Sequence, residues 1–192
     1  LIALDQYVDY TPVLSLSSDN ININENTASI TNSTYGHARS DTPLSNEYPT
    51  VWQFESTSNQ QLVGIADAGF DISLSQSDHY LGSAITPQAK QSVSRSLSDG
   101  IHINLVDDVT SSTLEALNIT GQRFTMVFDP VGQSLWFWSG TNWEQLSMSV
   151  PIDTSFNWFP AVSLLSGEVD FLVTESSFTE LPTDLSTKFP GW

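Results

Sequence analysis

Arg123–Trp143 reads RFTMVFDPVGQSLWFWSGTNW, and this stretch decides the fold class. Two apolar runs, Phe124–Phe128 and Leu135–Trp138, flank the tetrapeptide Asp129-Pro130-Val131-Gly132. In such a turn, proline fixes one dihedral and glycine supplies another. Because β-branched and aromatic residues fill both arms, the stretch predicts a β-hairpin rather than a helix.

The second arm of this hairpin has large apolar residues at every position. Side chains alternate across a strand, so we expect Leu135 and Phe137 on one face and Trp136 and Trp138 on the other. A short turn at Ser139–Asn142 follows. The pattern indicates a sheet that is packed on one side and covered or adhesive on the other.

Alternation of apolar and polar residues marks further strands along the chain. We predict antiparallel strands at Asn20–Ile30, Thr50–Glu55, Ile101–Val106, Phe124–Asp129, Leu135–Trp138 and Glu168–Val173. Many short strands at near-even spacing, with almost no amphipathic helix, indicate an all-β chain folded as a two-sheet antiparallel β-sandwich. No sequence repeat is visible, which disfavours a propeller or a solenoid.

Composition and charge exclude several classes of partner. The chain has 192 residues, of which 39% are hydrophobic, and this length suits one large β domain. Its 22 acidic and 5 basic residues give a net charge of −17, which repels phosphate backbones and anionic lipid headgroups. We therefore predict no nucleic-acid partner and no membrane insertion, since no long apolar run is present either. The absence of cysteine excludes disulfides and thiolate chemistry.

The remaining regions lack clear strand periodicity. Ala68–Gly100 is serine-rich, and long loops of this kind are usually binding elements or disordered. Within it, Gln88–Leu97 is compatible with a short helical turn, and Asp107–Ser112 further along predicts an acidic turn. We expect an N-terminal extension over residues 1–12, one β-sandwich over 13–175 and a C-terminal surface strap over 176–192.

Short motifs occur in a fixed order along the predicted strands. A Ser-Asp motif precedes an Asn-rich strand in which polar and apolar residues alternate. A strand of small residues that ends in arginine comes next, and a Trp-x-x-Glu motif then precedes Val-Gly-Ile. A Tyr-Leu-Gly-Ser loop, a hairpin with Leu-Trp-Phe and a Phe-Pro-Ala-Val-Ser strand follow. The positions are Leu16–Ile30, His37–Arg39, Trp52–Glu55, Val63–Ala66, Tyr80–Ser83, Phe124–Phe137, Phe159–Ser163, Gly167–Val173 and Ser177–Thr179.

In this order and spacing, the chain resembles the SPRY-like domains of the concanavalin A-like sandwich superfamily. It is most similar to the versions found in bacteriophage tail-fibre and other virion proteins. The resemblance covers residues 13 to 182 and implies a jelly-roll sandwich. Two loops depart from the family pattern, because Ser139–Asn142 replaces an Asn-Gly turn and Ile85–Gly100 replaces a Gly/Tyr-rich loop. Since such loops form the ligand face in this family, the resemblance implies the fold more than the specificity.

Catalytic arrangements were weighed against simpler interpretations. Glu168 and Asp170 would lie on one strand face, as in retaining glucanases, but Leu172 and Val173 occupy the positions where a further carboxylate is needed. The three histidines are scattered, and no Gly-x-Ser-x-Gly elbow is present. Isolated acidic turns are more often turns than metal sites. We predict no catalytic residues, no metal site and no cofactor.

Aromatic residues give the stronger functional signal. Flat aromatic rings stack on the C–H faces of sugars, and Asn or Asp side chains add hydrogen bonds. Four tryptophans are candidates for this role, with burial in the core or under a neighbouring subunit as the alternative: Trp136, Trp138, Trp143 and Trp158. Since loops at a sandwich end often bind ligands, the predicted ligand-binding residues are Asp78, His79, Tyr80, Asn142 and Trp143.

The resemblance and the aromatic pattern together imply a non-enzymatic recognition module at a virion surface. We expect it to be phage tail-fibre-like and to bind a host-surface glycan or receptor, with other virion subunits or a second copy of the chain as further partners. The alternative is a structural decoration or fibre-assembly module whose aromatic faces pack against other subunits. A cellular adhesin or protein-binding module ranks third, and a glycan hydrolase last.

Overall fold

The structure, a computed structural model, describes residues 8–9, 11–85, 91–105, 109–146 and 151–172. All regular elements in these ranges are β-strands: β1 Val8–Asp9, β2 Leu14–Ser17, β3 Ile21–Asn24, β4 Thr27–Ile30, β5 Gly36–Ser40, β6 Thr50–Ser56, β7 Gln61–Ala66, β8 Ser92–Ser96, β9 Gly100–Asn104, β10 Val109–Thr113, β11 Arg123–Asp129, β12 Ser134–Trp138, β13 Trp143–Gln145, β14 Phe159–Leu164 and β15 Glu168–Phe171. The described ranges therefore include no helix that could cross a membrane.

The strands form two stacked sheets. Sheet A has the order β13-β12-β11-β6-β15-β4-β3, and sheet B has the order β10-β9-β8-β7-β14-β5-β2. Neighbours in both sheets are antiparallel; β1 adds one short parallel pairing, of Val8–Asp9 with Thr50–Val51 at the start of β6. The predicted all-β, two-sheet antiparallel sandwich is confirmed.

The last two described strands lie in the middle of the sheets. β14 inserts between β7 and β5 of sheet B, and β15 inserts between β6 and β4 of sheet A. Pro160 lies within β14 opposite Ile65 of β7, while the ladder from β14 to β5 begins one residue later, at Ala161. A proline is tolerated there because it occupies the start of the strand, where one ladder has not yet begun.

The hairpin of β11 and β12 supplies much of the core between the sheets. Leu135 and Phe137 are fully buried, and the ring of Phe137 stacks on that of Phe124 with 5.5 Å between centroids. Trp136 and Trp138 lie on the outer face of sheet A, as alternation predicted. Each buried phenylalanine contributes about 2 to 3 kcal/mol of transfer free energy, so this hairpin is a principal source of stability.

The turn of this hairpin differs in detail from the prediction. Asp129 accepts hydrogen bonds from the backbone N–H groups of Val131 and Gly132 through Oδ1, at 3.0 and 2.9 Å. The positive φ, +50°, falls on Gln133 rather than on Gly132. Gly132 is needed for space, because a Cβ there would lie 2.4 Å from the Asp129 carboxylate.

Two predictions from the sequence are contradicted by strands of sheet B. The expected helical turn at Gln88–Leu97 is wrong, because Ser92–Ser96 forms β8, a central strand of sheet B. The expected acidic turn at Asp107–Ser112 is also wrong from Val109 onwards, because Val109–Thr113 forms the edge strand β10. The predicted C-terminal strap and most of the N-terminal extension lie outside the described residues, as do Val106 and Val173 at the ends of two predicted strands.

A third layer covers the outer face of sheet B. The β7–β8 segment, residues 67–85, packs on it through a small apolar cluster that includes Phe70 and Leu81. The Leu81 backbone N–H donates to Ser163 Oγ at 3.0 Å, and Asn104 Nδ2 donates to the Ser83 carbonyl at 2.6 Å. Gly82 has φ +77°, and a Cβ there would lie 2.2 Å from the His102 carbonyl. This long segment is therefore a packed part of the domain.

Candidate functional site

The five predicted ligand-binding residues fall on two opposite faces of the sandwich. Asp78, His79 and Tyr80 belong to the β7–β8 segment over the outer face of sheet B. Asn142 ends the β12–β13 turn, and Trp143 begins β13 at the edge of sheet A. A single ligand contacting both groups would have to reach around the domain, so they form two separate candidate surfaces.

His79 is fully buried, with the described residues packed tightly around it. Its ring stacks on Phe70 at 4.8 Å between centroids and meets the ring of His37 edge-on at 4.8 Å. Its Nε2 lies 2.7 Å from the Asp71 carbonyl, which can only accept, so Nε2 donates. In this position, His79 fastens the β7–β8 segment and reaches no ligand unless that segment moves.

His37 lies beneath the same segment on β5 and is also fully buried. Its Nε2 donates to the Leu74 carbonyl at 3.0 Å, which leaves Nδ1 to accept from the Ser163 hydroxyl at 2.9 Å. Burial, followed by the neighbouring His79, lowers the pKa of His37 to about 3. Burial lowers the pKa of His79 as well. Both imidazoles are therefore neutral at physiological pH, and both hold the segment on the sheet.

Tyr80 is half-buried between two other rings. Its centroid lies 5.2 Å from that of Tyr35 and 5.4 Å from that of His102 on β9. Burial is the main cause that raises the pKa of Tyr35 to about 12, so that hydroxyl keeps its proton at neutral pH. Asp78 is half-buried, and its carbonyl accepts from the Ser83 hydroxyl at 2.6 Å. On this face, Tyr80 and Asp78 are the predicted residues with partly accessible side chains.

Three tryptophans share the outer face of β12 and β13, and we call Trp136, Trp138 and Trp143 the tryptophan patch. Trp138 and Trp143 are directly opposite each other in the ladder, with ring centroids 5.4 Å apart and planes tilted by 52°. Trp136 donates from Nε1 to Ser134 Oγ at 2.9 Å. All three side chains are partly exposed. The patch offers adjacent aromatic surfaces at the edge of sheet A.

The turn beside the patch is held by its own hydrogen bonds. Ser139 N–H donates to the Asn142 carbonyl at 3.1 Å, and Asn142 N–H donates back to Ser139 Oγ at 3.2 Å. Gly140 has φ +95°, a conformation that glycine adopts without strain. The exposed Thr141 and Asn142 side chains therefore project from a fixed frame next to Trp143.

The tryptophan patch and its turn combine two features of sugar-binding sites. Aromatic rings provide apolar area with little conformational freedom, and hydroxyl and amide groups provide hydrogen bonds. Trp138 was a candidate from its residue type, but its pairing with Trp143 depends on the register across the turn, which the sequence did not specify. The fourth candidate, Trp158, is fully buried and donates from Nε1 to the Asp153 carbonyl at 2.9 Å.

The carboxylates considered for catalysis lie on β15, in the middle of sheet A. Glu168 and Asp170 are both exposed on β15, and Asp170 accepts from the Thr27 hydroxyl at 2.9 Å. Leu172 is buried. Within the described ranges, no group of three or more His, Asp or Glu side chains is arranged to hold a metal ion. The arrangement at Glu168 and Asp170 is a solvated strand face.

Comparisons with known proteins bear on the fold. No protein-family model matches the sequence, and no curated protein matches it. Among solved structures, the chain is similar to the SPRY domain of human HERC1, with a TM-score of 0.58 at 14% identity over 83% of this chain and 95% of that one. It is also similar to another human SPRY domain, with a TM-score of 0.59 at 17% identity over 87% and 100%.

A third similar structure is the PSpry domain of TRIM65, with a TM-score of 0.66 at 11% identity over 88% of this chain and 92% of that one. At these identities, the similarity is one of fold. The chain therefore has an SPRY-like β-sandwich fold, in agreement with the motifs in its sequence.

Proposed function

We propose that this chain is a non-enzymatic recognition module that binds a host-surface glycan or receptor through the tryptophan patch. The observation behind the proposal is the pair of partly exposed rings of Trp138 and Trp143, 5.4 Å apart, beside the ordered turn that ends at Asn142. Two adjacent aromatic surfaces suit consecutive sugar rings, and the turn supplies hydrogen-bonding groups at the same edge. The SPRY-like fold is compatible with this role, since SPRY domains are generally interaction modules.

The proposed setting is the surface of a virion, on a phage tail-fibre-like protein. Support for this setting comes from the ordered sequence motifs at Leu16–Ile30, Tyr80–Ser83 and the central hairpin. The net charge of −17 adds support of a general kind, because it favours solubility and disfavours adhesion to nucleic acid. The exposed, incomplete carboxylate set at Glu168 and Asp170 is the reason for proposing binding without catalysis.

The test is a glycan-array measurement on the folded chain, followed by titration of the strongest hit. Trp143→Ala should weaken binding about 10- to 30-fold, the range expected for one stacked aromatic at the centre of a site. Tyr48→Ala is the matched control, because Tyr48 is an exposed aromatic side chain just before β6, and β11 separates β6 from β12. Equal affinities for the wild type and Trp143→Ala, with both folded, would refute the proposed site.

A second candidate function is assembly with other subunits or with a second copy of the chain. β10 favours it, because all five of its residues are exposed and uncharged, and among the described residues it pairs with β9 alone. An open, uncharged strand edge can accept a further strand. Sedimentation of the wild type and of Ser111→Pro separates the two functions. If the chain assembles through β10, the wild type should form an oligomer that Ser111→Pro does not form. If the chain acts through the tryptophan patch, Ser111→Pro should bind glycan as the wild type does.

A further inference from the structure

The three arginines differ in whether a carboxylate forms an ion pair with them. Arg95 Nε lies 2.6 Å from a Glu144 carboxylate oxygen, and Arg123 Nε lies 2.8 Å from a Glu55 carboxylate oxygen. Arg39 makes no ion pair within the part of the chain that the structure describes. In a protein with 22 acidic residues and a net charge of −17, an arginine without a paired carboxylate is unexpected.

Arg39 is nevertheless held firmly in place. It lies on β5 with its side chain on the outer face of sheet B, and it is 9% exposed. Its Nη1 donates to the Asp67 carbonyl at 2.7 Å, and its guanidinium lies 4.5 Å from the centroid of the Phe159 ring. Its Nε is buried and has no hydrogen-bond partner among the residues that the structure describes. A guanidinium has five N–H donors, so most of the capacity of this one is unused.

The nearest carboxylate is already engaged elsewhere. The Asp67 carboxylate accepts from the Gly69 backbone N–H at 2.8 Å through Oδ1, and it acts on Arg39 through space without forming an ion pair with it. Burial lowers the pKa of Arg39 and raises the pKa of Asp67. A buried guanidinium with few hydrogen bonds is costly to maintain, so Arg39 calls for an explanation.

A groove of about 560 Å³ opens beside Arg39. Leu16 and Ser17 of the edge strand β2 form one wall, and residues 68–73 of the β7–β8 segment form the other. The volume is in the range of small-ligand sites, about 300 to 1,000 Å³. The polar residues of the lining are Ser17, Arg39, Asp71 and Ser73, and the Ser73 hydroxyl donates to Asp71 Oδ1 at 2.7 Å.

We propose that this groove binds the carboxylate of an acidic sugar, a uronic acid type of residue, with Arg39 as its counter-ion. The choice of a sugar rests on the proposed function, whereas the choice of a carboxylate rests on Arg39 alone. A planar carboxylate matches the fork of a guanidinium. Asp71 in the lining of the groove, Asp67 next to Arg39 and the net charge of −17 favour a singly charged carboxylate over a doubly charged phosphate or a polyanion.

The experiment uses two matched probes, a disaccharide ending in glucuronic acid and the same disaccharide ending in glucose. The readout is the side-chain Nε–H resonance of Arg39 in the ¹⁵N-labelled wild-type chain, identified by its loss in Arg39→Lys. We expect the uronate probe to shift this resonance in a saturable manner and the neutral probe to leave it unchanged. The wild-type titration decides the proposal even if the variants fold poorly.

Variants then give the size of the effect. Arg39→Gln should weaken binding of the uronate probe at least about tenfold, as for loss of a charge-assisted pair. Arg123→Gln is the control, because Arg123 forms the exposed pair with Glu55 on the other sheet. Equal shifts from both probes, or no shift, would overturn the proposal. So would a shift caused by inorganic phosphate or an acidic peptide at concentrations where the uronate has no effect.

These outcomes are separable from those of the proposed function. Array binding that Trp143→Ala abolishes and Arg39→Gln leaves intact would refute the groove and retain the tryptophan patch. A uronate shift at Arg39 in a protein whose glycan binding is insensitive to Trp143→Ala would retain the groove and refute the patch.

Discussion

The buried histidines under the β7–β8 segment predict that the domain loses stability in mild acid. The perturbation is a change from pH 7 to pH 5. In the folded chain, His37 stays neutral in this range, because its pKa is lowered from 6.5 to about 3. In the unfolded chain, its imidazole titrates near its ordinary pKa and gains a proton. The unfolded state therefore binds more protons, and the free energy of unfolding falls as pH falls through the window from 6.5 to about 3.

The magnitude follows from the size of the pKa shift. At pH 5, the unfolded His37 is about 1.5 pH units below its ordinary pKa, which corresponds to a loss of about 2 kcal/mol from this one group. His79, whose pKa is also lowered, adds a loss of the same sign. Asp71 faces the pair, and the Ser73 hydroxyl lowers the pKa of its carboxyl group, so Asp71 stays ionised between pH 7 and pH 5.

Urea denaturation of the wild type, His37→Gln and Ser163→Ala at both pH values provides the assay. The wild type should lose at least about 2 kcal/mol between pH 7 and pH 5, and His37→Gln should lose about 2 kcal/mol less than the wild type does. Ser163→Ala is the control: it removes the hydroxyl that bonds His37 Nδ1 but keeps both imidazoles, so it should be less stable at each pH and retain the pH dependence. An identical pH dependence in the wild type and His37→Gln would refute the reasoning.

Two further predictions concern stability and use paired variants measured by denaturation. Glu144→Ala should cost about 3 kcal/mol, because it removes the carboxylate partner of the 1%-exposed Arg95 side chain and leaves that charge only backbone carbonyls as acceptors. Glu55→Ala breaks the exposed pair with Arg123 and should cost less than about 1 kcal/mol, so equal costs would contradict this assignment. Gly64→Ala should cost about 3 kcal/mol or more, because its Cβ would lie 1.9 Å from the Val93 carbonyl on β8. Gly121→Ala should cost only about 1 kcal/mol, since no described residue lies within 4 Å of a Cβ placed there and only the φ of +64° is unfavourable. A larger cost for Gly121→Ala than for Gly64→Ala would show that the predicted clash at Gly64 is relieved.

The sequence was informative wherever one strand face is apolar. The β11–β12 hairpin and the two faces of β12 were predicted correctly, because Leu135 and Phe137 alternate along the strand with Trp136 and Trp138. β8 was not predicted because its sequence, SVSRS, lacks the usual alternation of apolar and polar residues. Val93 and the long side chain of Arg95 face the core, while the intervening serines face outward and bond the β7–β8 segment, as Ser94 Oγ does with the Leu81 carbonyl at 2.8 Å. β10 was missed for the opposite reason, since every one of its residues is exposed.

The candidate site was less predictable than the fold, for a physical reason. His79 is a typical ligand-binding residue type, but its burial depends on Phe70 and His37, which come from other parts of the chain. In the sequence Arg39 is the end of a strand motif, and only the placed strands show that no carboxylate of the described residues pairs with it. Tyr80 and Trp143 were both named from their residue types, yet only the sheet assignment shows that they lie on opposite faces of the domain.

The central position of β14 and β15 has a consequence for folding during synthesis. Until these two strands leave the ribosome, β7 and β5 in one sheet, and β6 and β4 in the other, lack the neighbour that joins them. Neither sheet can form completely before that point. The edges of the earlier strands therefore stay unpaired while the ribosome adds about 5 to 20 residues per second. Closure then requires contacts between segments far apart in sequence, which form slowly. A synonymous change that slows translation just before Phe159 should therefore lengthen the interval in which the nascent chain can aggregate or recruit chaperones.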